Sequence, residues 1–376
     1  MKRLLVTFFV MSLSTIFFTE SMEKTINFET KTYMEQVPTD IECIIGADIG
    51  GTNSGFGVFT ISGDKLELLL SLHCKSKDIK YFTDIVKDLL KKLKHEYNIS
   101  IKHATFACAG VVSQDRNLCI NTNLDFFVDA QEIIKNTCIE NVCIANDFEV
   151  IGFGVDSIDA KKLIQINQAK PKKTGNRLVF GAGTGLGKCI MHWNRKLHRY
   201  FSISTEGGHA DFAPQSFIEY ELTEFIKKSE ELCYMRWEDV LSGRGISRLY
   251  RFFCHANNMP EQERLISNPG EILKNKDLDK NCLDAYNLFT KIYARCAKNF
   301  ALDALATGGV YIAGGIAAKN VEIFTQHIFL EEFTKNLKHS NLLANIPIYV
   351  ITDYNISLYG AAKFMILEQN VFLQPS

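Results

Sequence analysis

Residues 41–48 are apolar almost without a break, which predicts a buried strand, and Gly50-Gly51 then turns the chain into a second strand near 56–61. Residues 66–74 can add a third strand. Beyond them Tyr81, Phe82, Ile85, Val86, Leu89, Leu90 and Leu93 recur at the spacing of an amphipathic helix over 79–97. Two more apolar runs, 103–109 and 142–145, read as strands, and the second stops at Asn146-Asp147. A polar pair at the carboxyl end of a buried strand is where α/β sheets collect ligands. A loop rich in Lys, Pro, Thr and Gly over 169–176 leads to a strand at 178–181, a glycine turn at 183–187 and a return strand at 189–193. The device of strand, glycine turn with a Thr, and strand therefore occurs twice. The remainder is mainly helical, over 217–232, 237–241, 245–256 and 278–305, with short strands at 310–313 and 346–351 and a last helix at 358–367.

Composition narrows the class. A chain of 376 residues holds about two domains, and 46% apolar with 23% charged residues supplies ample core, so disorder cannot dominate. With 42 basic residues against 43 acidic ones there is no global field to hold a polyanion or an acidic membrane, so neither a nucleic acid nor a stable membrane partner is expected. The 11 cysteines are odd in number and contain no C-x-x-C pair, which reads as reduced core thiols rather than a zinc cluster or a disulfide framework. The extreme N-terminus points another way. Lys2 and Arg3 precede an uncharged apolar run over 4–18, the form of a signal peptide, although too short to span a bilayer. Met22 and Met34 are alternative starts that omit it, and the sequons at Asn98 and Asn355 are short enough to arise by chance.

The run Gly181-Ala182-Gly183-Thr184-Gly185-Leu186-Gly187-Lys188 fails two familiar phosphate motifs. A Walker A loop needs Gly where Ala182 stands and Ser or Thr where Cys189 stands. A dinucleotide fingerprint must lead into a helix, whereas a strand follows here. What survives is a hairpin turn with unshielded amides and the Thr184 hydroxyl, a nest suited to phosphate oxygens. Asp48-Ile49-Gly50-Gly51-Thr52-Asn53 is a second such turn with a carboxylate added. Two turns of this kind suggest duplicated halves gripping one polyphosphate, with Asp48 orienting a magnesium ion or its waters.

These turns, together with Asn146-Asp147-Phe148, Glu206-Gly207-Gly208-His209, Asp211-Phe212-Ala213-Pro214, Leu241-Ser242-Gly243 and Ala313-Gly314-Gly315-Ile316, stand in the order seen in the bacterial-type glucokinase family. The chain resembles that family over about residues 41–370. The resemblance implies an α/β protein of the actin, sugar kinase and Hsp70 group: a two-domain, actin-like (ribonuclease H-like) fold with a mixed sheet in each domain and a cleft between them. It places a small domain at 41–157 plus 355–376, a large one at 158–354, and an N-terminal extension at 1–40. It implies ATP-dependent phosphorylation of glucose to glucose 6-phosphate, with Mg2+, in a homodimer.

Position by position, Asn146 and Asp147 match the family's sugar-binding pair, Asp147 being the base beside the attacking hydroxyl. Glu206, His209 and Glu238 match the other glucose ligands. Asp48, Gly50, Gly51, Thr52 and Asn53, with Gly181, Gly183, Thr184 and Gly185, match the phosphate loops, and Gly314-Gly315 the adenosine loop. Two departures stand out: Leu124-Asp125 follows Thr122-Asn123 where the family often has Trp, and the first 40 residues have no counterpart. No metal-ligand set is expected, because the cysteine nearest after His209 is Cys233, alone.

The chemistry agrees independently. Phosphoryl transfer needs positioning, charge neutralisation and one carboxylate for the hydroxyl proton, and a strand-end Asp147 facing two phosphate turns supplies that set. Singly, Glu206 or Glu238 would read as a solvated acid and His209 as a loop histidine; the motif context decides otherwise. Another hexose acceptor and a sugar-sensing protein without turnover stay open as alternatives. ATP chemistry, the unpaired thiols and the start of the motif-bearing fold at Ile41 together favour a cytoplasmic enzyme over a secreted one.

Overall fold

The computed structural model describes residues 26–62, 65–121, 124–259 and 268–369. Lys2, Arg3, the apolar run over 4–18, Met22 and the Thr122-Asn123 pair lie outside the described residues.

Among the described residues the chain forms an α/β fold on two six-stranded mixed sheets. The first is built from β1 (Glu29–Thr32), β2 (Glu42–Ile49), β3 (Asn53–Ser62), β4 (Lys65–Lys75) and β5 (Ser100–Cys108). After a small antiparallel sheet of β6 (Gly110–Val112), β7 (Leu118–Asn121) and β8 (Phe127–Asp129), β9 (Asn141–Asn146) completes it in the order β1-β4-β3-β2-β5-β9. The second holds β10 (Leu163–Gln165), β11 (Arg177–Ala182), β12 (Leu186–Asn194), β13 (Arg199–Thr205), β14 (Gly309–Ile312) and β15 (Ile348–Ile351), ordered β10-β15-β14-β11-β12-β13. Each sheet thus contains the same motif. A three-stranded antiparallel meander, β2-β3-β4 or β11-β12-β13, is followed by two strands parallel to its first, β5 and β9 or β14 and β15.

The central strand β2 is apolar from Cys43 to Ala47 because both of its faces are covered. One face meets the helix Phe82–Tyr97, which buries Phe82, Ile85, Val86, Leu89 and Leu93 and stops where Asn98 turns left-handed and its amide donates to the Lys94 carbonyl at 3.1 Å. The other face meets the C-terminal helix Ile356–Gln369. That helix also crosses the helix Asp147–Gly154 so closely that a Cβ on Gly360 would stand 1.8 Å from the Val150 carbonyl oxygen, and glycine is required there. Both helices share one cluster with the two sheets, in which Ile44, Ala107, Val150, Val179, Met191, Tyr311 and Phe364 pack together. Each buried Ile, Val, Met or Phe among them contributes about 1.5–3 kcal/mol by leaving water, so the helix behind Asp147 is firmly seated. A polar strut reinforces it: Arg116 donates twice to buried Glu149 at 2.9 Å, and Ser202 of β13 donates to the same carboxylate.

The sheet starts earlier than the pattern predicts. β1 pairs antiparallel with β4, Glu29 opposite His73 and Thr32 opposite Leu70, and Phe28 meets Phe56 edge-on at 6.1 Å. Part of the expected extension is therefore an edge strand, and the first described strand starts at Glu29, ahead of Ile41. Three of its four residues are exposed, so no apolar run marked it. None of the cysteines forms a disulfide, and all but Cys138 and Cys233 are buried. Among the described residues no helix is long and apolar enough to cross a membrane.

Candidate active site

The first glycine turn joins β2 to β3 and is held from the side by the end of β4. Ser76 Oγ donates to the Gly50 carbonyl at 2.6 Å, the Ser76 amide donates to the Thr52 carbonyl at 3.1 Å, and Lys75 Nζ donates to Asn53 Oδ1 at 2.8 Å. Gly51, Thr52 and Asn53 stand exposed at the tip. Asp48, half-buried at the end of β2, is pushed above the usual carboxylate range by burial, against a hydrogen bond with Ser357 and the attraction of His73.

Asn146 ends β9 and caps the helix that follows. Its Oδ1 accepts from the amides of Phe148 at 3.0 Å and Glu149 at 3.3 Å, which commits the oxygen to the helix cap and, among the described residues, leaves the two amide hydrogens for a ligand. Asp147 is the first residue of that helix. Burial lifts its carboxyl to about 7, and the negative charges of Asp48 and Glu206 push the same way, while the Phe148 amide pulls it down. A carboxylate balanced near neutrality is suited to take a proton and to release it.

The second turn joins β11 to β12 and is anchored by elements of another kind. The Gly183 amide donates to the Gly185 carbonyl at 2.8 Å, and the Gly183 carbonyl accepts from the Gly243 amide at 2.9 Å, where the helix Gly243–Ala256 begins. Thr184 stands exposed at the tip. Glu238 Oε2 accepts from the Leu186 amide at 3.1 Å. On the other side the Phe148 ring lies against Gly187, where a Cβ would come within 1.9 Å of it, so the residue after Asp147 and this turn form one unit. Gly181 and Gly314 pack against the backbone of Ala313 and Ala182, which brings the Gly314-Gly315 loop to the base of the same turn.

His209 follows β13 in the short turn Gly207–His209. Its Nε2 lies 3.9 Å from Glu206 and 4.0 Å from Glu238. These gaps are too long for direct hydrogen bonds and leave room for a hydroxyl to bridge the groups. The structure thus brings Asn146, Asp147, Glu206, His209 and Glu238 into one neighbourhood, with Asp48 on one side and the second turn on the other. Sequence reasoning missed Ser76, Ser357 and Arg236. Ser76 had a readable signal, since Lys75-Ser76 follows an apolar strand as Asn146-Asp147 does. Ser357 and Arg236 had none, because only the folded chain sets them beside Asp48 and His209.

A sequence profile of the family described as Glucokinase matches residues 45–368. A glucokinase from Synechocystis sp. is 30% identical over 85% of this chain and 96% of that protein. The crystal structure of a glucokinase from an Antarctic psychrotroph superposes with a TM-score of 0.75 at 24% identity, covering 88% of this chain and all of that one. A ROK-family glucokinase from Streptomyces griseus, solved with glucose and AMPPNP, superposes at 0.59 with 16% identity over 86% of this chain and 99% of that one.

Proposed function

The chain belongs to the glucokinase family and is a sugar kinase, and from that premise we propose that it transfers the γ-phosphoryl group of ATP to the 6-hydroxyl of glucose with Asp147 as the base. The observation that carries this reading is the position of Asp147, whose carboxyl, held near neutrality, interacts with Asp48 beside the first turn and with Glu206 beside His209. Asn146, Glu206, His209 and Glu238 together offer donors and acceptors in fixed directions, as a polyol requires. With the sugar so held, Asp147 accepts the hydroxyl proton as the oxygen attacks phosphorus and the bond to ADP breaks. The amides and threonine hydroxyls of the two turns cradle the phosphates, and Gly314-Gly315 borders the adenosine.

Asp48 and Asp147 are half-buried carboxylates with raised proton affinities, and the charge of Asp48 pushes Asp147 up, a repulsion that a divalent cation would relieve. Asp48 would hold Mg2+ arriving with the nucleotide, directly or through water, and the ion would neutralise phosphate charge. The two sheets, each with its own apolar cluster, support an actin-like pair of domains: 41–157 plus 355–376, now with β1 added, and 158–354. We also assign a homodimer and a cytoplasmic place of action, which light scattering and fractionation of the native cells test.

A coupled assay of glucose 6-phosphate formation, run beside mannose, fructose and glucosamine, decides the substrate. Glucose is expected to have the highest kcat/KM. ATP turnover with another of these sugars in preference would reassign the acceptor, and none with any sugar would favour a sensor.

A further inference from the structure

We propose that Arg236 is a positioning residue that fixes the ring tautomer of His209 and so sets the direction of the hydrogen bonds offered to the sugar. This deepens the assignment of Glu206, His209 and Glu238 as sugar ligands and rests on it.

Arg236 stands immediately before the short helix Trp237–Val240, and its guanidinium is locked on one side. Nε donates to Asp239 Oδ2 at 3.0 Å and Nη2 to Asp239 Oδ1 at 2.9 Å, while the Arg236 amide donates to Oδ2 at 2.9 Å. Asp239 is itself buried and held by Arg248 Nη1 at 3.0 Å. The backbone joins this group to the histidine loop through a bridge between Asp211 and Arg236 and through the Trp237 amide, which donates to the Ala210 carbonyl at 3.0 Å. Arg236 Nη1 is thereby set 3.0 Å from His209 Nδ1.

A guanidinium has five donors and no acceptor. His209 Nδ1 must therefore accept, and the ring proton of the neutral imidazole sits on Nε2. That nitrogen is the one facing Glu206 at 3.9 Å and Glu238 at 4.0 Å. A hydroxyl placed among them accepts from Nε2–H and donates to one carboxylate, so its lone pair and its proton both find partners and the second carboxylate is left for a neighbouring hydroxyl. In the opposite tautomer the same hydroxyl would face three acceptors with one proton to share. Arg236 thus makes the trio specific for a group that both donates and accepts.

Two measurements test this. In protein labelled with 15N-histidine, the His209 Nδ1 resonance is expected in the unprotonated range and Nε2 in the protonated one, with Arg236→Met mixing the two tautomers. A protonated Nδ1 in the unmodified protein overturns the inference. In kinetics, Arg236→Met is expected to raise the glucose KM about tenfold with kcat within about twofold, and Arg236→Lys to recover most of the loss. The same change made in His209→Gln, whose amide has no tautomers, is expected to shift the glucose KM by less than about twofold. An equal shift in both backgrounds means that Arg236 acts only by supporting Asp239, and the inference falls. If His209→Gln alone leaves the glucose KM unchanged, the sugar-site assignment fails, whatever the ring spectra report about the tautomer.

Discussion

The two glycine turns have nearly the same composition and are held in different ways. Asp48–Asn53 is anchored by its own sheet, through Lys75 and Ser76 at the end of β4. Gly181–Gly187 is anchored by Glu238, by Gly243 and by the ring of Phe148. Glu238 is also a proposed sugar ligand, and Phe148 follows the proposed base. The first turn can therefore respond to nucleotide alone, whereas the second shares its supports with the sugar. Two similar phosphate nests differ in what else they sense, and the difference lies in the neighbours rather than in the turns.

Asp147 interacts with Asp48 of the first turn and precedes Phe148, which supports the second, so its replacement should give the largest effect. Asp147→Asn is expected to lower kcat at least about a hundredfold while ATP binding persists, read by steady-state kinetics and nucleotide titration. The native enzyme should lose kcat/KM as pH falls through about 7, because the base must be deprotonated and burial holds its carboxyl there. That acid limb should be absent from the residual activity of the variant. Near-normal turnover in Asp147→Asn would remove the centre on which the comparison turns.

Within the second turn, Gly187→Ala and Gly183→Ala should separate. A Cβ at 187 meets the Phe148 ring, while one at 183 meets nothing within 4 Å. Overpacking at 187 should cost about 1–3 kcal/mol of stability and reduce kcat by displacing the start of the Asp147 helix, as seen in denaturant melts and assays. Gly183→Ala should fold normally and weaken ATP only. Equal stability in the two variants would show that the Phe148 contact couples nothing.

The smallest effect addresses the anchors. Glu238→Gln should raise the KM of glucose about tenfold and that of ATP about threefold, while Ser76→Ala should raise that of ATP about threefold and leave glucose unchanged. Should Ser76→Ala move both substrates alike, the first turn would be as coupled as the second and the contrast would collapse.

Much of this protein is legible in its residues. Alternation and run length predicted the strands β2 to β5, β9, β11 and β12 and the helix Phe82–Tyr97 to within a few residues, because those elements are buried on one or both faces. The edge strand β1 was not legible because it is largely exposed, and the small sheet of β6 to β8 because strands of three or four residues are too short to show a period. The residues of the site were named by motif, but their states were not. Asn146 gives its oxygen to a helix cap, and this required knowing that a helix begins beside it. Asp147 rises to about 7 because burial and the charges of Asp48 and Glu206, far away along the chain, act through space. The ring of His209 is oriented by an arginine 27 residues later in the chain. The sequence by itself determined which groups are present and where the chain can turn. Tertiary structure alone decided which of them lie in low dielectric beside one another, and proton affinity and hydrogen-bond direction depend on that.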